Sequence, residues 1–197
     1  LDVHVDGGIR RRRRIRSMTQ HSEVPASHAG GHRSGFATFV GRPNAGKSTL
    51  MNAIVGSKVA ITSDRPQTTR RTIRGIVSRS DGQLIIVDTP GMHRPRTLLG
   101  ERLNDQVHET LADVDVIGLC LPATDDIGPG DRYIAQQVAA SKAVGIAVVT
   151  KTDAVSADRV AEQLMHAQQL GSEVGIDFAH IVPVSATMGA NIDVLMQ

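Results

Sequence analysis

Gly41-Arg42-Pro43-Asn44-Ala45-Gly46-Lys47-Ser48, followed by Thr49, fits G-x-x-x-x-G-K-[ST], the spacing of a loop that cradles nucleotide phosphates. Gly41 and Gly46 permit backbone angles that a β-carbon forbids, so that successive N–H groups can turn inward onto an anion. Lys47 brings a positive charge to the β- and γ-phosphates, and the Ser48 hydroxyl can ligate Mg²⁺. Such a loop should follow a strand and open a helix whose N-terminal dipole also favours phosphate. Phe36–Val40 is a short, apolar, β-prone run, and Leu50, Ile54 and Val55 recur at helical spacing.

The elements around this loop alternate strand and helix, the pattern of a sheet with helices on both faces. Residues 59–71 are polar and read as a long loop. Thr72–Arg79 alternates apolar with polar, as a half-exposed strand does, and Ser80-Asp81-Gly82-Gln83 reads as a hairpin turn centred on Asp-Gly. The next strand, Leu84–Val87, should therefore return antiparallel and, being continuously apolar, lie deep in the sheet. It delivers Asp88 to the place where a Walker-B type carboxylate reaches Mg²⁺, and Gly91 could bring a backbone N–H to the γ-phosphate. A helix is expected over residues 100–112, a strand over Val114–Leu121 and an acidic loop over Asp125–Asp131. Then come a helix over Asp131–Ser141, a strand at Val144–Val149, a helix over Ser156–Leu170 with Ser156 as N-cap, and a strand at Ile181–Val184. Four polar segments thus follow four different strands, where ligands bind in open α/β sheets.

At 197 residues the chain suffices for one such domain. With no Trp, one Tyr and three Phe, its core must rest on aliphatic side chains. A lone cysteine, Cys120, excludes an internal disulfide and reads as a small core residue. No run approaches the roughly eighteen apolar residues of a membrane span, and the histidines lack metal-ligand spacing. Residues 1–34 hold seven Arg against three Asp or Glu, a net +4, whereas residues 35–197 carry a net −2. Charge alone therefore does not make the folded part a nucleic-acid binder. Residues 1–34 read as a disordered basic segment, with residues 1–17 as a non-native leader ahead of Met18.

From Gly35 onward the chain resembles the Era-type GTPases of the translation-factor-related class, and an actinobacterial member most. The matching segments are GRPNAGKST (41–49), SDRPQTTR (63–70), DTPGMHRPR (88–96), TKTD (150–153) and VSATMGANIDVL (184–195). The resemblance implies an α/β fold: a P-loop NTPase G domain over residues 35–197, with a mostly parallel central sheet, one antiparallel edge strand and helices on both faces. It implies a nucleotide site built from Gly41, Arg42, Pro43, Asn44, Ala45, Gly46, Lys47, Ser48, Thr49, Asp88, Thr89, Pro90, Gly91, Thr150, Lys151, Asp153, Ser185 and Ala186. Ser48, Thr69 and Asp88 would hold Mg²⁺, with Thr68 the alternative to Thr69. Lys47, Thr69, Gly91 and Asn44 would serve GTP hydrolysis. Asp153 would accept guanine N1–H and N2–H, Lys151 would lay its stem over the base, and Ser185-Ala186 would offer backbone N–H groups to O6.

Two positions depart from the family pattern. Thr150 stands where most GTPases carry Asn, and its hydroxyl could make a shorter version of the bond that ties this loop to the phosphate loop. Met92 stands where Ras-like proteins place a water-orienting Gln, and a thioether cannot orient water. The resemblance supplies another route, in which Asn44 helps to hold K⁺ against the phosphates.

By this resemblance the chain is a Mg²⁺-dependent, K⁺-stimulated GTPase switch, with GTP and GDP as ligands, serving assembly of the small (30S) ribosomal subunit. Small-subunit rRNA (16S) is the expected partner through a KH domain; the chain contains no Gly-x-x-Gly clamp in a suitable context and is expected to stop within a last helix that begins over residues 191–197. The implied location is the cytoplasm, with peripheral contact at the inner face of the cell membrane. Three other readings stay open: a guanine-nucleotide-binding module without turnover, an ATPase, and an RNA-binding arm at Arg10–Arg16.

Overall fold

The structure is a computed structural model that describes residues 33–56, 72–88 and 111–197. The expectations for Thr68, Thr69, Thr89, Pro90, Gly91 and Met92, for the loop at 59–71, and for most of the helix at 100–112 lie outside these residues. So does the disorder expected over residues 1–32. The described elements are β1 (Arg33–Val40), α1 (Lys47–Gly56), β2 (Thr72–Ser78), β3 (Gly82–Asp88), β4 (Val116–Pro122) and α2 (Pro129–Ala139). There follow β5 (Val144–Thr150), a 3₁₀ turn at Thr152–Ala154, α3 (Ala157–Val174), β6 (Ile181–Pro183) and α4 (Ile192–Leu195).

The six strands form one sheet in the order β2-β3-β1-β4-β5-β6. Only β2 and β3 pair antiparallel among them; every other neighbouring pair is parallel. Parallel strands buried on both faces need apolar residues at nearly every position, and VIGLCLP in β4 and VGIAVVT in β5 supply them. The side-chain period of two then divides the core. Ile86, Cys120 and Val148 pack with Leu50, Met51 and Ile54 of α1. Val87, Leu119, Leu121, Ala147 and Val149 pack with Ile134, Ala135 and Val138 of α2 and Ala167 and Leu170 of α3. Helices therefore cover both faces, and Cys120 is fully buried in the α1 layer as a core residue.

Most strands and helices differ from expectation by a residue or two at their ends, and four of these differences have a clear local reason. β1 begins at Arg33 rather than Phe36, because Arg33 and Ser34 pair with Gly82 and Gln83 of β3. The β2–β3 turn is centred on Ser80-Asp81, one residue early, since the Arg79 N–H donates to the Gly82 carbonyl at 2.8 Å. Gly82 is a strand residue there, and a β-carbon on it would lie 2.4 Å from the Arg33 carbonyl oxygen of β1. Its glycine serves close strand approach, not the turn. Helix α2 starts at Pro129, two residues before the expected Asp131, because proline at the first helical turn lacks only an N–H that would be unpaired anyway. Helix α3 runs one turn past Leu170 and ends at Gly175, whose φ of 79° supplies the left-handed cap.

Ser156 does cap α3, accepting the Arg159 N–H at 3.3 Å. The last helix is a single turn, Ile192–Leu195, shorter than the stretch expected over residues 191–197. Because β1, β3, β4, β5 and β6 all run the same way, their C-terminal ends line one edge of the sheet. β1 sits between β3 and β4, where successive connections leave in opposite directions, and the loop after it opens at that switch point.

Candidate nucleotide-binding site

The turn after β1 is built from backbone conformations that few residue types tolerate. Gly41 has φ 153°, Asn44 φ 62° and Gly46 φ 89°. At Gly41 the constraint is also steric, since an added β-carbon would lie 2.7 Å from the Cys120 carbonyl oxygen on β4. Asparagine is one of the few other residues that enters the left-handed region at modest cost. The loop delivers Lys47 to the first residue of α1, with Ser48 and Thr49 exposed beside it. Lys47 Nζ folds back and donates to the Gly41 and Arg42 carbonyls, both at 2.8 Å. Burial holds its ammonium below the usual lysine range. The Cys120 sulfur and the Asp88 carboxylate oppose that shift; burial pushes the thiol itself up to about 12, so Asp88 is the opposing charge near neutral pH.

Asp88 ends β3, and the strand is locked to β1 just before it: the buried Thr38 Oγ1 donates to the Val87 carbonyl at 2.9 Å. Arg74 on β2 reaches the Asp88 carboxylate at 3.3 Å and the Asn52 side chain on α1 at 3.0 Å. Asp88 and Ser48 offer a carboxylate and a hydroxyl, oxygen donors of the hard kind that Mg²⁺ takes. The donor set fits that ion, and the amide-lined turn with its lysine fits a polyphosphate.

Thr150 closes the far side of the loop. Its Oγ1 donates to the Ala45 carbonyl at 2.7 Å in a fully buried bond, the short tie expected of a hydroxyl at this position. Thr150→Val keeps the shape and leaves the Ala45 carbonyl without that donor. It should cost about 1–2 kcal/mol and lower Tm by roughly 2–8 °C. A thermal melt of the nucleotide-free chain checks this, and an unchanged Tm would show that the bond carries no weight.

Beyond β5, Lys151 takes a left-handed conformation (φ 57°) that turns the chain into the Thr152–Ala154 turn. The Asp153 carboxylate is held from β6's side: Ser185 Oγ donates to Oδ1 at 2.6 Å and Thr187 Oγ1 to Oδ2 at 3.0 Å. The Ser185 hydroxyl first, then the residue's own backbone N–H and the Thr187 hydroxyl, hold the carboxyl below the usual range, so it is an anion at neutral pH. The Ser185 N–H is already engaged by the Ala190 carbonyl at 3.2 Å, which leaves the Ala186 N–H of the pair for a ligand.

The structure thus brings Gly41–Thr49, Asp88, Thr150, Lys151, Asp153, Ser185 and Ala186 to one edge of the sheet. Sequence reasoning missed Thr187. Its only signal is a hydroxyl two residues beyond Ser185 in a loop that must face a carboxylate. The role of the Arg42 side chain was equally invisible, because its partner, Asp131, lies 89 residues away.

A protein-family model described as a 50S ribosome-binding GTPase matches residues 36–151, more than half of the chain. The chain belongs to this family. GTPase Era of Streptomyces coelicolor is 64% identical over 178 residues, covering 90% of this chain and 56% of the relative. A crystal structure of Era in complex with MgGDPNP and nucleotides 1506–1542 of 16S ribosomal RNA superposes with a TM-score of 0.68 at 32% identity, covering 84% of this chain and 55% of that one. An Aquifex aeolicus Era variant bound to GDP·AlF4⁻ gives 0.66 at 34% identity, covering 83% and 55%. The described residues form a P-loop GTPase G domain similar to that of Era, and the chain spans a little over half the length of the relatives it matches.

Proposed function

We propose that this G domain binds GTP and Mg²⁺ and hydrolyses GTP to GDP and phosphate as a switch. The observation that carries the reading is the pairing, on one sheet edge, of the Lys47 loop with an ionised Asp153 clamped by Ser185 and Thr187. An anion cradle serves any nucleotide, whereas a held carboxylate accepts two N–H groups and so selects guanine over adenine. The loop from Gly41 to Gly46 receives the phosphates, and Lys47, held in place by the Gly41 and Arg42 carbonyls, directs its charge at the β- and γ-oxygens. Ser48, Thr69 and Asp88 hold the metal, which supplies charge neutralisation at the transferring group when bound. Thr69 and Gly91 are the γ-phosphate sensors, Lys151 covers the base, and Ala186 N–H meets O6.

With Met92 at the water-orienting position, we assign part of the electrostatic stabilisation to K⁺ held with the help of Asn44, a side chain exposed on the crown of the loop. Multiple-turnover phosphate release should therefore be faster in K⁺ than in Na⁺, and Asn44→Ala should level the two salts. Equal rates in the unaltered chain would remove that role from Asn44. No turnover in either salt, with GTP still bound, would favour the second reading that Met92 raises, a guanine-nucleotide-binding module without hydrolysis.

For the longer protein the proposed partner is small-subunit rRNA, supported by the Era complex with a 16S fragment, and the service is ribosome assembly in the cytoplasm. The family description names the 50S subunit, so co-sedimentation with separated subunits in GTP and GDP distinguishes the two. Among the described residues no helix is long and apolar enough to cross a membrane. Peripheral contact at the inner membrane face is a matter for cell fractionation.

A further inference from the structure

Arg42 occupies a variable position of the phosphate loop, yet it is tied at both ends. Its carbonyl is one of the two acceptors of the Lys47 ammonium, at 2.8 Å, and also accepts the Ala45 N–H at 3.2 Å. Its guanidinium is bound to α2 and the loop before it. Nε donates to Asp131 Oδ1 at 2.8 Å, Nη2 donates to the Asp126 carbonyl at 3.3 Å, and Nη2 lies 3.7 Å from the Asp125 carboxylate.

Asp131 is the anchor. It is 1% exposed, and its other oxygen accepts the Gly128 N–H at 2.9 Å, so the carboxylate that meets Arg42 is anchored at the start of α2. Gly130 is part of the same device: a β-carbon there would stand 3.0 Å from Arg42 Cδ, so glycine makes room for the arginine stem against the helix. A buried carboxylate with one strong cationic partner has a steep well for that partner's position. The backbone of Arg42 is held by its side chain, and the resting place of Lys47 is held by that backbone.

We propose that Arg42 is a positioning residue through which Asp131 on α2 sets the place of Lys47, and with it the affinity for the β-phosphate. The inference rests on the guanine-nucleotide reading above. It differs from a purely structural role in one respect. Lys47 serves the β- and γ-phosphates, so its displacement weakens GDP and GTP while sparing GMP. General loosening of the loop weakens all three, because the loop amides also hold the α-phosphate.

The test is displacement of fluorescent GDP from the chain by unlabelled GDP and by GMP, in Mg²⁺, for the unaltered sequence, Arg42→Met and Arg42→Lys. Arg42→Met should raise the GDP dissociation constant about tenfold and move that of GMP less than about twofold. Arg42→Lys keeps a charge for Asp131 but loses the fork that also reaches the Asp126 carbonyl. It should weaken GDP about threefold and leave GMP unchanged. Should Arg42→Met fail to fold, the Arg42→Lys comparison decides by itself. Equal losses of GDP and GMP in a folded variant, or no loss of GDP, overturn the inference while leaving the nucleotide reading intact. Failure of the unaltered chain to bind GDP overturns both.

Discussion

Asp153→Asn should weaken GTP by about 10³-fold and shift preference toward the xanthine nucleotide. Guanine presents two donors, N1–H and the N2 amino group. The Asp153 carboxylate can meet both because Ser185 and Thr187 each occupy only one lone-pair direction on one oxygen. An asparagine offers one acceptor and one amide donor, so one contact becomes donor against donor. A site built on hydrogen bonds rejects a mismatched partner by about 10⁴, because its polar groups are left unpaired on binding. Xanthine replaces the N2 amino group with a carbonyl, which the new amide can satisfy. Competition of GTP and xanthosine triphosphate against a fluorescent guanine nucleotide measures the shift. Undiminished GTP binding would mean that Asp153 does not touch the base.

Lys47→Met should slow phosphate release by about 10²–10³-fold and weaken GDP by a smaller factor. Methionine keeps much of the stem and removes the charge, so the difference reports electrostatics at the phosphates more than packing. In the free chain the ammonium is already half withdrawn from water and held by two carbonyls, so that meeting phosphate oxygens requires little fresh desolvation. The same burial holds its proton less firmly than an ordinary lysine does. With a lowered folded-state value, the charge of the free chain is lost on the alkaline side sooner than a free lysine would lose it, so GDP affinity should fall there first. A GDP titration across pH checks that point, single-turnover hydrolysis checks the rate, and a Lys47→Met rate within fivefold of the unaltered enzyme would take Lys47 out of the chemistry.

Much of this architecture was legible because local and global signals agree. The phosphate loop announces its own backbone, since Gly41 and Gly46 are glycine where the structure needs positive φ. β4 and β5 read as buried strands because a parallel strand covered on both faces cannot alternate. Thr150 was the informative departure, as a hydroxyl is short enough and polar enough to reach Ala45.

What escaped was set by partners distant in sequence. β1 gains Arg33 and Ser34 only because β3 extends beside them. The Asp-Gly pair misled because Gly82 answers to a neighbouring strand rather than to its own turn. The reading of Ser185 as a backbone donor overlooked the Ala190 carbonyl five residues on, which already takes that N–H. Thr187, Arg42 and Asp131 carry no spacing that marks them, and only the fold puts their side chains where they act.

The central claim is that the Lys47 loop and the clamped Asp153 form one guanine-nucleotide site. Its most direct test is a fluorescent-GDP titration in Mg²⁺ and K⁺, with unlabelled GTP and ATP as competitors. Displacement by GTP and not by ATP is the predicted result. Equal displacement by both would show a phosphate site that does not read the base, and an absence of GDP binding would contradict the account at its root.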